Sequence, residues 1–466
     1  MAKLHKVLAM LGALVTGLFH AAGAWAYTET SGGWNLPTGA TGIAKEVYDL
    51  HMMMFWVCTV IGILVFGVMI YSIFKHRKSL GAKPASFHES TTVEIIWTGL
   101  PFLILIAVAV PAAGTLPKPP LDEPDDQMWD YALGMVRVLG DDDLAVGDWD
   151  PKLDADTLRR GLTYMMRTRA FDDRMLRQQR QGKTSFYMKC TGEEACGVAQ
   201  AMALRPDDML FPSYRQQSML VARDWPLVDL MCQIFNNPKD RLQGKQLPVL
   251  YSVKDANFFS ISGNLGTQFP QAVGWAMASA YKNDSKIAAA WVGEGTTAEG
   301  DFHHALTFAA VYQAPVVLNV TNNQYAISSF SGIAGGEQST FAARALGYGL
   351  PGIRVDGNDF LAVYAVTQWA ADRARNNFGP TLIELYTYRA AAHSTSDDPS
   401  GYRPKDEFTV WPLGDPILRL KAHLIAKGVW SEERHVQAEA EVMDAVIAAQ
   451  KESEAIGTLQ SGRLPS

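Results

Sequence analysis

The stretch WVGEGTTAEGDFHHALTFAAVYQAPVVLNVTNNQYAIS, residues 291–328, holds the residue types best suited to chemistry. It reads as a strand, a Gly293-Glu294-Gly295-Thr296 turn, a helix, a second strand and then Asn322-Asn323. A glycine turn that opens onto a helix N-terminus lets backbone N–H groups approach a phosphate. Glu294 and one of the two asparagines would leave the carboxyl ends of neighbouring strands, where open α/β sheets bind ligands. A carboxylate, an amide oxygen and a backbone carbonyl are hard oxygen ligands suited to Mg²⁺, whose shell substrate phosphates complete. The pattern points to a magnesium–diphosphate site.

The elements that must position these residues follow from periodicity. Strand-like runs at 286–293 (KIAAAWVG), 315–322 (PVVLNVTN) and 381–390 (TLIELYTYRA) alternate with helical patterns at 297–312 and near 359–376. Such alternation predicts a parallel sheet with helices on both faces. Upstream, LDADTLRRGLTYMMRTRAFDDRMLRQQRQG reads as a helix capped by Asp154 or Asp156 and closed at Gly182. The tail SEERHVQAEAEVMDAVIAAQKESEAIG reads as an amphipathic helix, and no internal repeat is visible.

At 466 residues the chain is too long for one ordinary core, so two or more domains are expected. Its net charge of −7 argues against nucleic acid as a partner. Apolar residues, 48% overall, are concentrated before residue 117. Residues 1–26 combine Lys3 and Lys6, an apolar run and Ala24-Trp25-Ala26, the pattern of a signal peptide. Two uncharged runs follow, about 50–74 and 95–116, each longer than the roughly 20 residues a helix needs to cross a bilayer. Lys75, Arg77, Lys78 and Lys83 between them place that loop in the cytoplasm and both flanks on the other side. Residues 117–152, rich in Pro and acidic side chains, read as a solvated linker and amino-terminal arm. Cys58, Cys190, Cys196 and Cys232 are too few and too unevenly spaced for a disulfide framework, so core or lining positions are expected.

From about 119 to 466 the chain resembles the alpha subunits of branched-chain 2-oxoacid dehydrogenases, of bacterial type. The residues carrying the resemblance are SFYMKCTGEEA, FPSYRQQSMLVARD, ISGNLGTQFPQAVGWAMA, RVDGNDFLAVY and TYRAAAHSTSDDPSGYR. It implies an α/β thiamine diphosphate-binding fold at 153–466, with a further C-terminal segment in the family. It implies Mg²⁺ held by Glu294, Asn323 and the carbonyl of Tyr325, and diphosphate held by Arg215 and Arg389 beside Gly293, Gly295 and Thr296. Phe186 and Tyr214 would line the cleft, Leu265 would press on the aminopyrimidine, and His393 would be the catalytic histidine on a mobile loop. Ser262, Thr267 and Gln268 match positions that bind K⁺ in some relatives, and Ser394 matches a phosphorylated position of mitochondrial ones. Thr321 stands where animal relatives carry a phosphate-binding arginine. The implied partners are a beta subunit in an α₂β₂ assembly, a lipoyl acyltransferase and branched-chain 2-oxo acids. Pyruvate and acetoin dehydrogenase alpha subunits are the alternatives within that class.

Residues 1–116, through WNLPTGATGIAKEVYDLHMMMFWVCTVIGILVFGVMIYSIFKHRKS and FHESTTVEIIWTGLPFLILIAVAVPA, resemble a different family, the signal (1–26) and two-helix transmembrane hairpin (27–116) of cytochrome c oxidase subunit II. No CxxxC copper-ligand set follows, so no copper centre and no electron transfer from cytochrome c are expected; a non-catalytic membrane-anchored oxidase component is the remaining alternative. The hairpin would deliver the enzyme domain outside the cytoplasm, whereas the domain alone is expected in the cytoplasm with its partners. Such a mismatch, at a seam where both parts lack their usual neighbour, fits a joined gene, by rearrangement or by assembly, at least as well as a selected fusion.

Overall fold

The computed structural model describes residues 42–75, 99 and 116–458. The chain divides into two units, Met1–Gly114 and Thr115–Ser466. The expected signal peptide lies outside the described residues, as does the second expected span apart from Gly99 and Leu116.

In the first unit the helix α1 (Gly42–Lys75) includes a stretch, His51–Lys75, of mean hydropathy 2.5. Its 25 residues are long and apolar enough to cross a membrane. Phe55, Val60, Val65, Phe66 and Val68 are all exposed and project from different sides of the helix, so no single face carries the apolar residues. Cys58 is exposed on this helix rather than in a core, whereas Cys190, Cys196 and Cys232 are buried.

The second unit is built on a sheet of five parallel strands. In chain order they are β1 (Met209–Phe211), β2 (Ala288–Gly293), β3 (Val316–Asn322), β6 (Gly352–Asp356) and β7 (Thr381–Tyr386), and in space they run β1-β2-β3-β7-β6. A short hairpin of β4 (Tyr325–Ala326) and β5 (Ser329–Phe330) follows β3. Side chains alternate faces along each strand, and the sequence uses that alternation. Ala288, Ala290 and Val292 face one core with Val316, Leu318 and Val320; Ala289, Trp291 and Val317 face the other.

The elements that cover the sheet are α2 (Trp129–Leu133), α3 (Ala155–Arg180), α4 (Glu194–Ala203), α5 (Gln217–Ala222), α6 (Leu227–Ile234), α7 (Gln268–Tyr281), α8 (Gly300–Tyr312), α9 (Ala343–Leu346), α10 (Phe360–Arg375), α11 (Pro416–Ala426) and α12 (Glu432–Ala455). Phe269 and Val273 of α7 and Phe302 and Leu306 of α8 close the first core. Phe360, Val363 and Trp369 of α10 close the second, together with α3 and α4. The expected layer order, a parallel sheet with helices on both faces, is therefore present.

Boundaries moved where local chemistry intervened. Asp154 caps α3 by accepting from the Thr157 N–H at 2.8 Å. Residues Glu294–Ala298 wind as a 3₁₀ turn, so α8 starts at Gly300 rather than near 297. Strands β1 and β6 were absent from the expectations: three residues show no period, and β6 sits among turn-forming glycines and prolines.

The supposed solvated linker is bound to the domain. Trp369 Nε1 donates to the Pro119 carbonyl at 3.0 Å, Trp149 Nε1 donates to Pro117 O at 3.1 Å, and Arg373 holds the carbonyls of Leu121 and Glu123. Prolines lack donors but keep acceptors, so an acidic, proline-rich segment can still be stapled by buried indole and guanidinium groups.

Candidate active site

Glu294 is the first residue beyond β2, and Asn323 the first beyond β3. The two strands are direct neighbours, with Gly293 opposite Thr321, so the fold brings both residues to the carboxyl edge of the sheet. The asparagines then part company. Asn322 Nδ2 turns to Glu384 at 2.8 Å on the β7 side, whereas Asn323 faces Glu294: its backbone N–H donates to Glu294 Oε2 at 3.4 Å.

Glu294 is 2% exposed, and its Oε1 has no hydrogen-bond partner among the described residues. Burial pushes its carboxyl up to about 7, Glu193 adds to the rise, and backbone N–H groups oppose it. A buried carboxylate oxygen left without a donor is costly unless a cation occupies its free side. With the Asn323 amide oxygen and a nearby backbone carbonyl it makes an oxygen donor set that fits Mg²⁺. A Cβ built on Gly295 would lie 2.5 Å from Ala326 Cβ, so the turn and the β4 hairpin are in close contact and only glycine fits between them.

Two arginines lie beside this edge. Arg215, 5% exposed, donates through Nη1 to Lys189 O at 2.5 Å and through Nη2 to His393 O at 3.0 Å, and its Nε faces Glu193 Oε1 at 3.6 Å. Arg389 is fully buried; its Nη1 donates to Tyr325 O at 2.7 Å and its Nη2 to Ile327 O at 2.7 Å and Tyr402 Oη at 2.8 Å. The Tyr325 carbonyl, one of the expected metal ligands, thus already accepts from a guanidinium and offers its second lone pair. Both arginines approach His393 Nδ1, at 3.3 and 3.4 Å. Burial first, then Arg215 and Arg389, push the imidazole down to about 4.

The His393 loop is tied down on several sides. The His393 N–H donates to Asp397 Oδ2 at 2.6 Å, Tyr402 Oη donates to the same oxygen at 2.7 Å, and Arg403 donates to the carbonyls of Arg389 and Ala391 at 2.5 and 2.8 Å. The Tyr214 ring meets the imidazole edge-to-face at 5.8 Å. Phe186 is half-buried against the larger core.

The expected cation trio is less gathered. Gln268 is buried with no partner for Oε1 among the described residues, but Ser262 Oγ accepts from the Asn264 N–H and Thr267 Oγ1 donates to Asn264 O. Leu265 stays exposed at 46%, although a Cβ on neighbouring Gly266 would reach within 3.5 Å of Thr296 Cγ2. Glu193 was not among the expected site residues. In the string TGEEA it reads as one of two ordinary acids at a helix start, and no local signal separates it from Glu194.

Residues 162–461 match the dehydrogenase E1 component family, well over half of the chain. The chain belongs to that family. As an E1 component it is 60% identical over 354 residues to the 2-oxoisovalerate dehydrogenase subunit alpha of Pseudomonas aeruginosa, an alignment covering 76% of this chain and 86% of the relative. It is 41% identical over 310 residues to the mitochondrial subunit of Homo sapiens, covering 65% and 69%, and 39% over 335 residues to that of Caenorhabditis elegans, covering 70% and 76%. Ahead of the E1 component, residues 29–113 match the transmembrane domain of cytochrome c oxidase subunit II.

Proposed function

We propose that residues 153–466 act as the alpha subunit of a thiamine diphosphate-dependent branched-chain 2-oxoacid dehydrogenase, working with a beta subunit and passing acyl groups to a lipoyl acyltransferase. The observation that carries this is the buried, half-unpartnered carboxylate of Glu294 beside Asn323 at the ends of adjacent strands, flanked by Arg215 and Arg389, in a chain 60% identical to such a subunit.

Glu294, Asn323 and the Tyr325 carbonyl would hold Mg²⁺, and Arg215 and Arg389 would hold the diphosphate as guanidinium forks. Gly293, Gly295 and Thr296 would give it backbone room. Thiamine diphosphate bound there supplies a carbanion for the 2-oxo group and an electron sink as carbon dioxide leaves. His393 would hold a proton on Nε2, available for proton transfer to bound substrate, because both arginines occupy the acceptor Nδ1. Phe186, Tyr214 and Leu265 would shape the cleft, and Ser262, Thr267 and Gln268 would take a K⁺ ion. The test is turnover of the full chain with added beta subunit on 2-oxoisovalerate and on pyruvate. Preference for the branched substrate is expected; preference for pyruvate would move the chain to the other 2-oxoacid class.

The amino-terminal part, 27–116, is read as a two-helix membrane hairpin behind a signal peptide at 1–26. Supporting it are the apolar stretch His51–Lys75 and the match over residues 29–113.

A further inference from the structure

Glu193 lies at the floor of the site without belonging to the metal and diphosphate set. It is 3% exposed and is the N-cap residue of α4, an element separate from the strands whose ends supply Glu294 and Asn323. Its Oε1 accepts from Asn323 Nδ2 at 2.7 Å and faces Arg215 Nε at 3.6 Å. An asparagine amide has an oxygen end and a nitrogen end of nearly the same shape, and only its hydrogen-bond partners decide which way it points. A carboxylate oxygen at 2.7 Å accepts only, so it selects the NH₂ end and turns the amide oxygen away from itself. Among the described residues that oxygen has a single long contact, the Tyr325 N–H at 3.4 Å, and so keeps lone-pair capacity for a cation.

We infer that Glu193 is the positioning residue for Asn323: its carboxylate fixes the amide so that Oδ1, not Nδ2, is offered to the divalent cation. This rests on the reading of Glu294 and Asn323 as metal ligands. Partners that orient a ligand in this way typically change metal affinity about 10–100-fold when removed.

The test is the Mg²⁺ dependence of thiamine diphosphate binding, followed by titration calorimetry on the full chain assembled with its beta subunit. Glu193→Ala should weaken Mg²⁺ by about 10–100-fold. Glu193→Gln, which still presents an acceptor oxygen to Asn323 Nδ2, should restore most of that loss. In an Asn323→Asp background, where no NH₂ end exists to be selected, Glu193→Ala should cost nothing or improve binding. A merely structural carboxylate would cost the same in both backgrounds, and that result overturns the inference. So does wild-type Mg²⁺ affinity in Glu193→Ala while Glu294→Ala loses binding. If Glu294→Ala itself binds normally, the metal-site reading falls and takes this inference with it.

Discussion

Arg215 Nη2 lies 3.3 Å from His393 Nδ1, across 178 residues of sequence, and Arg389 Nη1 reaches the same nitrogen at 3.4 Å. A guanidinium only donates, so Nδ1 must accept and the ring is neutral with its proton on Nε2. The imidazole titrates at about 4 in the fold against 6.5 unperturbed, so between those values the unfolded chain binds the extra proton. Stability from this group is complete above about pH 6.5 and lost as pH falls toward 4. The thermal midpoint advantage of wild type over His393→Gln should therefore shrink between pH 7 and pH 4.5. An advantage that grows on acidification would contradict the placement of the two guanidinium groups.

Glu294→Ala removes from the edge of the sheet a carboxylate whose Oε1 has no partner among the described residues. Thiamine diphosphate binding by the assembled complex should fall below calorimetric detection in the presence of Mg²⁺. Unchanged affinity would remove Glu294 from the site.

Gly192 has φ +97°, and a Cβ there would sit 2.2 Å from the Tyr388 carbonyl oxygen. Left-handed strain and overpacking act together at this position, so Gly192→Ala should destabilise by about 2–6 kcal/mol. Gly274, exposed in α7 with nothing within 4 Å of its Cβ position, provides the contrast: Gly274→Ala should gain up to about 1 kcal/mol. Denaturant midpoints of the two variants in parallel decide it; equal shifts would show that the close approach at Gly192 is wrong.

Asp208 receives both Nη atoms of Arg375, at 2.8 and 2.5 Å, in a pair whose side chains are 0% and 8% exposed. Backbone N–H groups of Arg205 and Ile287 also donate to that carboxylate, tying β1 to β2. Removing one partner leaves a buried charge, so Arg375→Ala should cost about 3–5 kcal/mol. A change under 1 kcal/mol would mean that water reaches the pair.

Carbonate extraction of membranes tests the amino-terminal reading. The full chain should stay with the pellet through His51–Lys75, and a chain starting at residue 119 should appear in the supernatant. Release of both would dismiss the hairpin.

The sequence alone determined the Glu294 turn, the strands on either side of α8 and a helix capped at Asp154 or Asp156, because strand alternation, helical period and capping are local and written in consecutive residues; the fold chose Asp154. It also marked the apolar stretch His51–Lys75, whose length and lack of charge need no tertiary context. The local pattern left open which asparagine meets Glu294 and the family resemblance pointed to Asn323; the physical reason lies in the fold, where neighbouring strand β7 claims Asn322. Glu193 was invisible for a related reason: a carboxylate becomes special by burial and by the groups it faces, and its hydrogen-bond partner Asn323 lies 130 positions away. The bound linker follows the same logic, its carbonyls meeting Trp369 and Arg373 across some 250 residues. Polarity predicts exposure only until a distant donor is folded against it.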